Sequence, residues 1–191
     1  MPRDFCCPLE CLPGVGDVWS GEYDFPGVVS KGAPVILDIG ANCGSYSARS
    51  LAFWPSAIVH AYEPNPKMFE YLRRNCEPRV ICHNSAVGDP LLNHLYHGNS
   101  SALCGSQYCS TEQNQQSDVI DVISPEFLPE AEVVKLDAEG AEGFIIERLT
   151  FTPELLALEW NSGEITSMTS LCWFCSVLQY WLPQSADELP W

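Results

Sequence analysis

The chain has 191 residues, an apolar share of 46% and a formal net charge of -16, from 9 Lys+Arg against 25 Asp+Glu. Length and composition fit one globular domain with one core. The charge argues against a nucleic-acid groove, which needs basic residues to neutralise phosphates, and against anionic membranes; Arg73, Arg74 and Arg79 are too few to build such a groove.

The opening MPRDFCCPLE lacks the apolar stretch of a signal peptide, and the tract Leu171–Leu182 is far short of the roughly 20 residues that span a bilayer. A soluble, cytoplasmic protein is expected. Without an export signal, the 10 cysteines are expected to be reduced thiols. Cys172 and Cys175 have metal-ligand spacing, and Cys6, Cys7 and Cys11 form a second group. Cys172 and Cys175 also sit at helical spacing among Trp173, Phe174 and Leu178, where thiols act as small core hydrophobes, so no metal site is expected.

Residues 1–33 are rich in Pro and Gly and read as an irregular segment; residues 34–191 read as the folded domain. Val35–Ile39 predicts a first strand, the turn Gly40-Ala41-Asn42-Cys43-Gly44 follows, and Ser45–Phe53 predicts a helix. Ala57–Tyr62 predicts a second strand, ended by Glu63-Pro64-Asn65-Pro66. Pro66 suits a first helical position, and Met68, Phe69 and Leu72 give that helix an apolar face. Arg79–His83 predicts a third strand, Leu91–Tyr96 and Val119–Ile123 two short ones, and Gly98–Ser117 a long polar surface loop acting as a mobile lid. Glu132–Leu136 predicts the next strand, Ala141–Leu149 a helix, Leu155–Trp160 a further strand and Ile165–Trp181 a last helix.

Strands alternating with helices imply βαβ units, hence an α/β fold with a mainly parallel sheet and helices on both faces. Ligands in such sheets bind outside the carboxyl ends of the strands. Asp38 with Gly40, Glu63, Asn84 with Ser85, Asp137 and Glu159 all fall at those ends.

Three motifs carry the chemistry. In Asp38-Ile39-Gly40-Ala41-Asn42-Cys43-Gly44, the glycines allow a tight turn and close approach of a ligand. The acid beside them and the absence of G-x-G-x-x-G favour a cationic ligand end over a pyrophosphate, and so disfavour a nicotinamide dinucleotide. Glu63 lies roughly 20 residues further on, where an acid accepts ribose hydroxyls. In Lys135-Leu136-Asp137-Ala138-Glu139-Gly140-Ala141-Glu142, Lys135 and Asp137 share a strand face by period-two alternation. A structural Lys–Asp pair is the plain alternative there, and Glu139 and Glu142 also suit a helix N-terminus.

Taken together, VILDIGANCGSYS, AYEPNP, VVKLDAEGAEGFIIERL and LLALEW resemble the FkbM family of methyltransferases. Gly21-Glu22-Tyr23-Asp24 and Ser85-Ala86-Val87-Gly88 resemble its pattern too, so the likeness runs over roughly residues 20–161. It implies a Rossmann-like class I fold, S-adenosyl-L-methionine as cofactor, and methyl transfer to a hydroxyl of a small molecule or glycan. The same likeness assigns Asp38, Gly40, Asn42 and Gly44 to the methionine end, Glu63 to the ribose, and Asn84, Ser85 and Ala86 to the adenine side. Lys135, Asp137 and Glu139 fall near the transferring methyl, with Asp137 as base and Lys135 stabilising charge. A less favoured version makes Asp137, Glu159 and Asn161 oxygen ligands of magnesium. The family's sheet ends with two further strands, and Leu182–Trp191 is too short to supply them, so either a shortened sheet or a truncated gene is expected.

Overall fold

The computed structural model describes residues 1–2, 4–21, 23, 29–30, 32–98, 101–106, 117–159 and 178–181. Helix α1 (Leu12–Ser20) is followed by β1 (Val35–Ile39), α2 (Ser45–Phe53), β2 (Ile58–Tyr62), α3 (Pro66–Cys76) and β3 (Ile81–His83). Two short pairs of segments come next: β4 (Ala86–Val87) and β5 (His94–Gly98), then β6 (Ser101–Ser106) and β7 (Ser117–Val119). The chain closes through β8 (Val122–Ile123), β9 (Val133–Leu136), α4 (Glu142–Arg148), β10 (Leu155–Glu159) and β11 (Leu178–Trp181).

The main sheet has six strands in the order β11-β10-β9-β1-β2-β3, and every neighbouring pair is parallel. This is the doubly wound, Rossmann-like arrangement, and its order reverses between β1 and β9. A crevice at the carboxyl ends of those two strands is the consequence.

Period-two alternation divides the core between the two faces. Ile36, Val59, Ala61, Val133, Leu155 and Ala157 pack under α1, α2 and α3 through Val18, Tyr46 and Leu72. Leu37, Ile39, Val134, Leu136, Leu156 and Leu158 face the other way, against Ile145, Ile146 and Leu149 around α4. The inserted β4 pairs with β8, and β5 pairs antiparallel with both β6 and β7.

Three expectations change. The segment read as irregular contains α1, with Pro in its first turn, Val15 and Val18 buried, and Gly21 closing it in the left-handed region at φ 108. The span read as one surface loop contains β6, and residues 107–116 lie outside the described residues. The last helix is overturned where it is described: Leu178–Trp181 is β11, extended beside β10 with Glu159 opposite Trp181. Four residues of mixed apolar and polar type satisfy either period, and pairing with β10 decides between them. The sheet is therefore one strand longer than expected.

Gly44 illustrates the packing demand. Its φ is +84, and an added Cβ would lie 2.7 Å from Cys76 Sγ and 2.8 Å from Leu72 Cδ1. Gly16, inside α1, has nothing within 4 Å of the same position. Gly44→Ala should therefore lower stability by about 1–3 kcal/mol through strain and overpacking. Gly16→Ala should raise it by roughly 0.5–1 kcal/mol, the helix-interior cost of glycine. Urea unfolding of the two variants checks both signs.

Candidate active site

The register of the sheet builds the site. Asp38 pairs with Ala61 on one side and Lys135 on the other, and Lys135 pairs with Ala157. Two charged side chains thus lie side by side on one face, flanked by alanines that leave them room. Both are buried. Lys135 Nζ donates to the Gly40 carbonyl at 2.7 Å and to Asp137 Oδ2 at 3.3 Å, and lies 3.7 Å from Asp38 Oδ1. Burial alone would strip the proton from Lys135, yet the Asp137 and Asp38 carboxylates outweigh it and push its pKa above the ordinary lysine value. Asp38 is 0% exposed, and its Oδ2 accepts from Ser47 Oγ at 2.6 Å. Burial raises its pKa, against the lowering pull of Lys135 and Ser47.

The glycine turn is locked onto this pair. Gly40 has φ +75, and a Cβ there would lie 1.7 Å from the Asp137 carbonyl oxygen, so only glycine fits between β1 and β9. Asn42 has φ 50, and its Oδ1 accepts from the Cys43 amide at 2.8 Å; asparagine tolerates this conformation through such local bonds. Glu63 is 6% exposed. Its Oε2 accepts from the Asn42 amide at 2.7 Å, and its Oε1 from the Asn65 amide at 2.7 Å. Burial pushes its pKa up to about 7, although both backbone bonds pull it down. Asn65 in turn caps α3 by accepting from the Lys67 and Met68 amides. The Glu-Pro-Asn-Pro motif is therefore a bracket tying the glycine turn to the start of α3.

Above the crevice lies a cleft of about 360 Å³, within the range of small-molecule sites. Gly40, Ala41, Asn42 and Cys43 form one wall, Lys135, Asp137 and Glu159 the strand ends, and α1 the opposite wall through Gly14, Val15, Asp17 and Val18. Glu10 and Cys11 extend that wall, and Tyr23 and Tyr46 complete it. Tyr23 donates to Glu159 Oε2 at 3.4 Å and meets Tyr46 edge-on, with ring centroids 5.6 Å apart. Among the described residues, four carboxylates, Glu10, Asp17, Asp137 and Glu159, line the cleft with a single cation, Lys135, and that cation is already held by carboxylates. The field inside favours a positively charged ligand.

Among the residues expected from the sequence, Gly40, Asn42, Lys135 and Asp137 come together at the cleft. Asp38 and Gly44 do not line it: Asp38 points at Lys135 and Ser47, and Gly44 faces α3. Glu63 sits behind the turn that it holds. Asn84 donates to the Glu63 and Pro64 carbonyls, while Ser85 and Ala86 are buried; none of the three lines the cleft. Glu139, at φ 51, is exposed beyond it. Buried Glu142 braces that loop, accepting from the Ala138 and Gly140 amides at 3.0 and 3.1 Å. Asp137 and Glu159 share the cleft, and Asn161, like Cys172 and Cys175, lies outside the described residues. No group of three or more His, Cys, Asp or Glu side chains is placed to hold a metal among the described residues. No described helix is long and apolar enough to cross a membrane.

The α1 wall is missed by sequence reasoning, and Tyr23 is seen there only as part of a motif, not as a cleft residue. The signal is present in Pro13 at the helix start, the Val15/Val18 spacing and Gly21 at its end, but Gly14 and Gly16 between them read as helix breakers.

The clamp predicts a stability pattern. Lys135→Met leaves the Asp38 carboxyl group buried without its cation and should cost about 3–5 kcal/mol. Adding Asp38→Asn removes the stranded charge and should restore a substantial part of that loss. Urea midpoints for the single and double variants decide it; equal losses in both would contradict the clamp.

No family model matches the chain, and no curated protein matches it. Solved structures similar to it include the following two. A methyltransferase FkbM from Methylobacillus flagellatus KT is 19% identical, with a TM-score of 0.43, over 65% of this chain and 31% of that one. A fibrillarin/Nop5p complex is 13% identical, with a TM-score of 0.41, over 66% of this chain and 50% of that one. The matched stretch is thus a third to a half of those chains, and the fold assignment rests on the strand order and register of the present chain.

Proposed function

We propose that the chain is an S-adenosyl-L-methionine-dependent methyltransferase acting on a hydroxyl of a small molecule or glycan. The observation that carries this reading is the acid-lined cleft at the carboxyl ends of β1, β9 and β10, walled by the glycine turn. Four lining carboxylates oppose a pyrophosphate and suit a ligand bearing an ammonium and a sulfonium. The fit is therefore better for this cofactor than for a nicotinamide dinucleotide.

The backbone of Gly40–Asn42 would hold the methionine end, with Glu159 facing its ammonium. Glu63, buried behind the glycine turn, would act on the ribose side by fixing the Asn42 stretch of that turn rather than by facing the ligand. The cofactor supplies, when bound, a methyl group made electrophilic by the adjacent sulfonium. An acceptor hydroxyl taking that methyl group would have to give up its proton to a base of this chain. Asp137 is the base in this reading. It lies at the end of β9 with its side chain 26% exposed, and Lys135 fixes its Oδ2. The acceptor has to be held in line and close, which the facing wall of α1, Tyr23 and Tyr46 does by shape.

Asp137→Asn keeps the shape and removes the base. Turnover on a panel of hydroxylated acceptors should fall by about 10²-fold or more, the usual contribution of a general base. Cofactor affinity by calorimetry should stay within a few-fold. Full turnover in the variant would overturn the assignment, and cofactor binding without any turnover in the parent chain would reassign it as a binding protein.

A further inference from the structure

Two carboxylates follow adjacent strands on the same face of the sheet. The register of β10 on β9 places Ala157 beside Lys135 and Leu158 beside Leu136. Asp137 and Glu159 come one step later, on the face that carries Lys135, and both line the cleft. Like charges at neighbouring strand positions repel, so keeping both in the cleft calls for a donor at each. The two donors differ in kind. Lys135 Nζ lies 3.3 Å from Asp137 Oδ2, whereas the Tyr23 hydroxyl donates to Glu159 Oε2 at 3.4 Å.

The difference matters for a ligand. An ammonium partner cancels most of the charge that it holds. A neutral hydroxyl fixes a carboxylate in place and leaves its charge to act on something else. Tyr23 is itself firmly placed for this. Its ring is 8% exposed, packs in the core cluster that contains Val18, Tyr46 and Ala157, and meets Tyr46 edge-on with centroids 5.6 Å apart. Phenylalanine would serve that packing equally well. The hydroxyl adds a bond from the chain just after α1 to the end of β10, across the cleft that both residues line.

We propose that Tyr23 is a positioning residue, which holds Glu159 apart from Asp137 and aims its charge at the ammonium of the cofactor's methionine end. The proposal rests on the methyltransferase reading and divides the two strand-end acids between its tasks. Asp137, tied to Lys135, serves the acceptor hydroxyl; Glu159, tied to Tyr23, serves the cofactor.

Calorimetry on the full chain with two ligands tests this division. S-adenosylmethionine carries the ammonium, and 5′-methylthioadenosine keeps the adenosine and thioether but lacks the amino acid end. Tyr23→Phe retains the ring and its edge-on contact and removes the hydroxyl. It should weaken S-adenosylmethionine binding about 5–10-fold, the order of one lost hydrogen bond, and change 5′-methylthioadenosine binding by less than about twofold. Glu159→Gln, at a half-buried strand end, should separate the two ligands more strongly, and adding Tyr23→Phe to it should have little further effect, because the two substitutions remove one shared interaction. Equal loss of both ligands in Tyr23→Phe would make the residue a packing element only and overturn the proposal. So would unchanged S-adenosylmethionine affinity in Tyr23→Phe, fully additive effects of the two substitutions, or a larger selective loss in Asp137→Asn than in Glu159→Gln. A parent chain that does not bind S-adenosylmethionine would overturn the methyltransferase reading itself; a parent chain that binds it, with Tyr23→Phe indistinguishable from it, would overturn the positioning role alone.

Discussion

A lysine ammonium taken almost wholly out of water is the constraint around which the rest of the site is arranged. Lys135 is satisfied by the Gly40 carbonyl and by Asp137, with Asp38 beside it. A buried cation is tolerable only with such partners, because its desolvation otherwise costs several kcal/mol. The three oxygens come from three places: the interior of β1, the turn after it and the end of β9. Satisfying the lysine therefore fixes the crossing of β1 and β9 and the path of the turn. That path brings the Asp137 carbonyl so close to Gly40 that no side chain is accommodated there. One ion cluster thus sets the geometry of the crevice at the point where the sheet reverses direction.

The cleft inherits its electrostatics from this arrangement. Lys135 has its charge balanced from below, so it offers little to an anion above. The remaining lining carboxylates, Glu10 just before α1, Asp17 in α1 and Glu159 at the end of β10, add negative charge. Helix α1 is joined to the domain by packing on α2, where the Arg49 guanidinium lies 5.4 Å from the Trp19 ring and 4.7 Å from the Phe53 ring.

The central architecture was legible because its signals are local. Val35–Ile39 and Ser45–Phe53 coincide with β1 and α2 to the residue, since an apolar run, a glycine turn and a helix follow each other without competing signals. The charged strand ends were legible as a group. Asp38 and Glu63 read as ligand-facing acids, whereas burial turns the first toward Lys135 and the second toward backbone amides. Period-two alternation gives the face of a strand residue and says nothing of how far it lies from the mouth of a cleft. Helix α1 was hidden by its glycines, and β11 by a segment whose period fits helix and strand alike. Tertiary pairing settles both.

The central claim is that the acid-lined cleft at the glycine turn receives a sulfonium-bearing cofactor. Amide resonances followed by NMR during titration with S-adenosylmethionine test it most directly, with NAD⁺ as the comparison. The account predicts saturable shifts at Gly40–Cys43 and at Val15–Val18 with S-adenosylmethionine, and none there with NAD⁺. Saturation of the same amides by NAD⁺, or a response to S-adenosylmethionine confined to other parts of the chain, would contradict it.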